Sequence, residues 1–210
     1  MQRRRFAPLG RLAAQAAFDL RDAQGASAEP PSEVPTVFAS RYGETTRCLD
    51  LLLAQVRGEP LSPTAFALSV HNAMGAMIAI VREDRSNSSA IAAGRMTAAA
   101  GVAEAVALLD DGSPVVDLVA YDAPLPNDYT AFQDEPATHF AWAWRLRRAR
   151  PGEPALQLDW LAGDATSHAD VPAEAAALPS GLQALWFALS NAPALEQRAG
   201  ARRCRWSRDA

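Results

Sequence analysis

Lysine is absent from this chain of 210 residues, so all 20 of its basic side chains are arginines. That excludes chemistry built on a lysine amine, both the Schiff base and the phosphate-binding lysine of a P-loop. Cysteine is nearly absent too: Cys48 and Cys204 lie far apart and form no CxxC pair. Neither a zinc site nor a disulfide framework follows from such spacing, and a reduced, cytoplasmic setting suits it. No apolar run is long enough to span a membrane, because the best candidate, Ala65 to Val81, is broken by His71, Asn72 and Gly75. The basic opening MQRRR leads into an apolar stretch that Arg11 interrupts and Asp19 ends, so a secretory signal core is lacking. A net charge of −4 lacks the basic surplus that counterion release requires, which excludes nucleic acid as a partner.

What is present suits one sizeable folded domain over residues 1–210. An apolar share of 49% over this length can bury a core without disulfide or metal support. No cofactor and no metal is expected.

Along the chain, Pro8 to Asp22 predicts a helix with Leu9, Leu12, Ala13, Ala16 and Ala17 on one face. A linker, AQGASAEPPSE, follows. The β-branched and aromatic run VPTVFAS predicts a buried strand that ends in a turn at Arg41 to Glu44, where Gly43 is free to take positive φ. Thr45 to Val56 carries Cys48, Leu49, Leu52 and Leu53 at helical spacing and stops at Gly58, so Cys48 reads as a small core residue. Ser89 to Ala93 predicts a short strand, and the alanine-rich run from Met96 to Leu109 a buried central helix. With the strand VVDLVAYD this forms a β-α-β unit, which implies neighbouring parallel strands.

The last third has a different texture. THFAWAWRLRRA and ALQLDWLAG alternate in part and predict an antiparallel hairpin across the turn at Pro151 and Gly152. A helix from Ser180 to Ser190 and a closing strand, ARRCRWSRD, complete the chain. Trp142, Trp144, Trp160, Trp186 and Trp206 all fall here, interleaved with arginine at a spacing that fits sheet packing.

One stretch gathers candidate chemistry. LSPTAFALSVHN, Leu61 to Asn72, places His71 beside Asn72 between two apolar segments, one of only three histidines in the chain. The pair reads either as a buried or capping pair, with Asn72 as N-cap of a helix from Ala73 to Val81, or as a site. As a site, His71 would act with Ser69 or Asn72 on an acyl thioester, since Ser69 and His71 share one side of a strand. No GxSxG elbow accompanies them.

Taken in order, PTVFASRYGE, LSPTAFALSVHNAMG, SSAIAAG, the alanine-rich helix and VVDLVAYDAPLP resemble the β-ketoacyl synthase-like N-terminal domain family. This belongs to the thiolase-like superfamily, with chain-length-factor-like proteins of bacterial aryl polyene and fatty-acid-type clusters. The resemblance runs from about Arg3 to Tyr129. It implies an α/β fold: one half of a thiolase-like architecture, a mixed sheet with a buried central helix, completed by a C-terminal antiparallel hairpin and helix. It also implies that an early edge element is missing ahead of the arginines.

In condensing enzymes of this kind a cysteine sits where a strand meets the central helix, and the resemblance puts Gly94 at that place. His139 and His168 lie in no recognisable synthase motif. The implied role is therefore a non-catalytic partner of a ketoacyl synthase, an acyl carrier protein or both, with a homodimer as a further possibility. Small residues between Ser88 and Ala107 would allow the close contact.

Overall fold

The computed structural model describes residues 6–23, 33–162 and 171–209. The AQGASAEPPSE linker falls mostly outside the described residues, and His168 falls outside them as well. Two sheets carry the fold. The larger has the strand order β2-β1-β3-β4, formed by β1 (Thr36–Ala39), β2 (Ser88–Ile91), β3 (Val116–Asp122) and β4 (Phe140–Leu146). β1 runs parallel to β2 and β3, and β4 runs antiparallel to β3. A mixed sheet of this kind matches the expected class.

Alternation along the strands divides the core between the two faces. Val37, Ala39, Leu118 and Ala120 face α5 (Thr97–Asp110). Phe38, Val119 and Tyr121 face α1 (Pro8–Asp22) and α4 (Ala73–Arg82). β3 is buried on both faces, as its run of apolar residues requires. Helix α5 comes close to the sheet because Gly101 has no side chain. A Cβ there would lie 2.9 Å from Leu118 Cδ1 and 3.0 Å from the Ala39 Cβ.

β2 and β3 are parallel but not adjacent, contrary to the simple reading of the β-α-β unit: β1 lies between them. β1 is short and nearly all buried, so it takes the centre and leaves the more polar β2 at the edge. The first helix spans the expected residues, but its buried face is Leu9, Gly10, Ala13, Ala14 and Ala17, and Leu12 is exposed. Gly10 supplies the reason, since it lets Met74 approach where a side chain would stand. Helix α2 (Thr45–Val56) buries none of its residues fully; Cys48 is half-buried and Leu52 is exposed.

The expected hairpin between THFAWAWRLRRA and ALQLDWLAG does not form. β4 pairs with β3, while β5 (Ala155–Leu161) joins a second sheet of order β5-β7-β6 with β6 (Ala194–Ala199) and β7 (Arg202–Asp209). Arg145 stands directly across from Asp117 and grips its carboxylate with two bonds of 2.7 and 2.9 Å, which fixes β4 to β3. The C-terminal hairpin is instead β6 and β7, turning at Gly200 with φ +60°.

β7 is the last strand yet the central one of its sheet, and it buries Cys204 and Trp206. The sheet is tied to α7 (Ser180–Leu189) by a buried polar network. Trp206 Nε1 donates to Gln197 Oε1 at 2.8 Å, and Gln197 Nε2 donates to the Ser180 carbonyl at 2.8 Å and to Gln183 Oε1 at 3.1 Å. Among the described residues, no helix is long and apolar enough to cross a membrane.

Candidate functional site

The loop after β2 turns sharply at Gly94, with φ +60°, through a short 3-10 segment, Gly94–Met96, into the N-terminus of α5. Thr97 holds this elbow from inside. Its hydroxyl donates to the Gly94 carbonyl at 2.6 Å and accepts from the Ala93 amide at 3.0 Å. A Cβ at Gly94 would meet nothing within 4 Å, so the apex opens into free space.

That space is a cleft at the C-terminal ends of β1 and β3, where open α/β sheets place their ligands. Gly94, Asp122, Arg41, Glu135 and Ser180 line it. The cavity left is about 30 Å³, enough for one or two waters and far below what an acyl chain needs.

Asp122 organises one wall. It ends β3 and accepts from Ser40 Oγ at 2.9 Å, from the Arg41 amide at 2.9 Å and from the Tyr42 amide at 3.1 Å. Burial pushes its carboxyl up to about 6, against the three hydrogen bonds that pull it down. Glu135 organises the other wall. It accepts from the Ser180 amide at 3.0 Å in the first turn of α7 and lies 3.1 Å from Arg41 Nη1 and 3.6 Å from Arg95 Nε. Arg41 also pairs with Asp134 at 2.7 Å. The charges of the cleft are thus spent on one another and on closing α7 against the elbow. From the other side, Met96 is buried with its Sδ 3.7 Å from Cys204 Sγ.

Leu61 to Asn72 is not a strand. Ser62 caps α3 (Pro63–Ala67) by accepting from the Ala65 amide at 3.2 Å, and turns follow. A Ser-Pro start favours this, with proline pre-set for the first helical turn. His71 Nε2 donates to the Ser40 carbonyl at 2.8 Å, so the ring braces the same turn that Asp122 holds. Ser69 Oγ donates to the Phe66 carbonyl at 2.8 Å, within its own turn. Asn72 stands at the N-cap position of α4, but its side chain makes no capping bond. The three candidates are neighbours in sequence without forming a nucleophile–base pair.

His139 is exposed and lines a different groove beside Tyr42 and Arg47. Asp122 ends the VVDLVAYD strand, where no local spacing marks it for chemistry. Glu135 and Arg41 carried no sequence signal, because their partners come from three separate elements. No cluster of metal-ligating side chains occurs among the described residues.

The family model for the beta-ketoacyl synthase N-terminal domain matches residues 1–207. The chain belongs to the beta-ketoacyl synthase N-terminal domain family. As a member of that family, its fold superposes on a chain from the complex of the ketosynthase ApeO with its chain length factor ApeC from Xenorhabdus doucetiae. The TM-score is 0.80 and the identity 26%, covering 99% of this chain and 80% of that one. The ishigamide ketosynthase/chain length factor matches with a TM-score of 0.60 at 15% identity, over 75% of this chain and 49% of that one, a likeness of fold alone. No curated protein sequence matches the chain.

Proposed function

We propose that this protein is a non-catalytic, chain-length-factor-like subunit that docks on an active ketosynthase. The pathway is of the bacterial fatty-acid or polyketide type, aryl polyene synthesis among them, in the cytoplasm, with an acyl carrier protein delivering the chain. One observation carries the reading: the elbow into α5 is built and held by Thr97, yet its apex is Gly94. A Claisen condensation needs a thiolate there to take up the acyl group and donors to stabilise the oxyanion. Gly94 supplies no nucleophile, and the cleft of about 30 Å³ admits no acyl chain.

Two surface features support docking. Among the described residues β2 is an edge strand, hydrogen-bonded on one side to β1, so a partner strand can approach the other. Among the described residues, six of the eleven exposed large hydrophobic residues, Leu52, Val56, Leu61, Phe66, Val70 and Ile80, fall between the middle of α2 and the end of α4. Exposed apolar side chains gathered in one segment of the chain support a contact surface there. The small residues of α5 serve a different purpose, since Ala98, Ala99, Gly101 and Ala105 are buried within the chain.

The test is co-purification with a cysteine-bearing ketosynthase, followed by mass measurement of the complex and a condensation assay. A one-to-one complex is expected, with no condensation of acyl and malonyl thioesters by this chain alone. Condensation by the isolated chain, or a stable homodimer that ignores ketosynthases, would overturn the proposal. Thioester chemistry through His71, Ser69 or Asn72 is the weaker reading, because His71 Nε2 and Ser69 Oγ are each engaged with a backbone carbonyl.

A further inference from the structure

The cleft beside Gly94 has a cover. β3 and β4 are paired directly, Asp122 opposite Phe140, yet the chain between them makes a long excursion from Ala123 to His139 in place of a tight turn. Its own regular structure is one 3-10 segment, Asn127–Phe132. Leu125, Gln133 and residues 135–138 of this strap line the cleft. Ala39, Ala98 and Ala120, all buried, line it from the strand ends and the first turn of α5.

One side chain holds the strap down. From Thr130 to His139 every residue is exposed except Glu135, whose side chain is 11% exposed. Among the described residues, Asp134 and Glu135 alone carry hydrogen bonds or ion pairs from the strap to the rest of the chain. Its other hydrogen bonds are internal: Thr130 Oγ1 donates to the Asn127 carbonyl, and the amides of Tyr129 and Gln133 to the carbonyls of Pro126 and Thr130. Asp134 is more than half exposed, so water weakens its pair with Arg41. Glu135 reaches Arg41 after β1, Arg95 at the elbow and the Ser180 amide of α7, three separate elements through one carboxylate. Neither Arg41 Nη1 nor Arg95 Nε makes a directed hydrogen bond to it, so those two contacts are charge attraction alone.

We propose that residues 123–139 are a lid latched by the Glu135 carboxylate, which lifts from the cleft when the latch lets go while β3 and β4 stay paired. No residue of the strap is buried, so lifting it exposes little apolar surface of its own. The cavity of about 30 Å³ is then the closed form of a larger one. An open lid still leaves Gly94 at the apex and no nucleophile, so the inference is independent of the docking reading.

The experiment measures how fast a thiol beneath the lid is labelled by a maleimide. In the full chain carrying Cys48→Ser and Ala98→Cys, the introduced thiol lines the cleft, while Cys204 is buried elsewhere and reacts only when the whole domain opens. Adding Glu135→Gln, which keeps the shape of the side chain and removes its charge, is expected to raise labelling at position 98 by about tenfold and to leave Cys204 unchanged. A second measurement needs no introduced cysteine. With Glu135→Gln alone, chymotrypsin is expected to cut after Tyr129 or Phe132 several-fold faster, and after the exposed Phe66 at the wild-type rate. Equal labelling at position 98, or equal cleavage of the strap, with and without Glu135→Gln would overturn the proposal. So would acceleration of Cys204 by the same factor as position 98, which would mean that the whole domain had loosened.

Discussion

The imidazole Nε2 of His71 sits 2.8 Å from the carbonyl oxygen of Ser40. The bond joins the turn ahead of α4 to the turn that follows β1, two segments 31 residues apart. On its other side the Ser40 hydroxyl donates to Asp122 and accepts from the Gly43 amide at 2.8 Å, so one serine ties three parts of the chain together. Gly43 is required here twice over. Its φ is +58°, and a Cβ would stand 3.1 Å from His71 Cδ2.

His71→Ala removes that bond and leaves the Ser40 carbonyl without its partner. A loss of about 1–3 kcal/mol in unfolding free energy is expected, read by denaturant titration. Loss of a thioester-cleaving activity with stability unchanged would instead support the weaker reading of the site.

Stability should depend on pH through Asp122. Its carboxyl titrates at about 6 in the folded protein, raised by burial above the ordinary 3.8. Between those values the folded chain holds a proton that the unfolded chain has released. The contribution is therefore full below the lower value and is lost as pH rises to about 6, by about 3 kcal/mol in all. Asp122→Asn imitates the protonated form and should flatten the slope across this window. Below the window the sign reverses, because the Arg41 guanidinium beside Asp134 holds that carboxyl low.

Gly94→Cys places a thiol in open space but on a backbone at φ +60°, at a cost of about 1–2 kcal/mol. The new thiol should react with a maleimide far faster than Cys204, which is buried and pushed up to about 12, mainly by that burial. Condensation should not appear, since the cleft has no room for the acyl chain. Turnover by this variant would show that the missing nucleophile is the sole defect.

Gly101→Ala tests the approach of α5 to the sheet. The added methyl meets Leu118 and Ala39 at 2.9 and 3.0 Å, so a loss of about 1–3 kcal/mol is expected despite the better helix propensity of alanine. An unchanged or raised Tm would mean that the helix can move out freely.

Gln197→Met removes the acceptor of Trp206 Nε1 and the donor to Ser180 and Gln183, all within a buried network. Stranding these groups should lower stability by about 2–4 kcal/mol and loosen the second sheet from α7, visible as faster amide exchange in β6 and β7.

Local pattern by itself determined much of this protein. The bounds of α1 and α2, the strand at Val37 and Phe38, the αL turn at Gly43 and the alanine-rich helix follow from propensity, spacing and punctuation, which are properties of adjacent residues. The glycine at the elbow was likewise legible, because the strand-to-helix junction around it is a continuous run of sequence.

Partners were decided only in three dimensions. The alternation in Phe140 to Leu146 says that a strand has two faces but not which strand lies beside it, and the Asp117–Arg145 pair made that choice. The apolar residues of α2, of α3 and of the turns after it are spaced like those of a core segment, yet Leu52, Phe66 and Val70 are exposed among the described residues. Asp122, Glu135 and Arg41 meet because β3, the loop before β4 and the end of β1 converge on one cleft. Their burial, and with it the shifted carboxyl of Asp122, comes from surrounding chain far away in sequence, which no local spacing encodes.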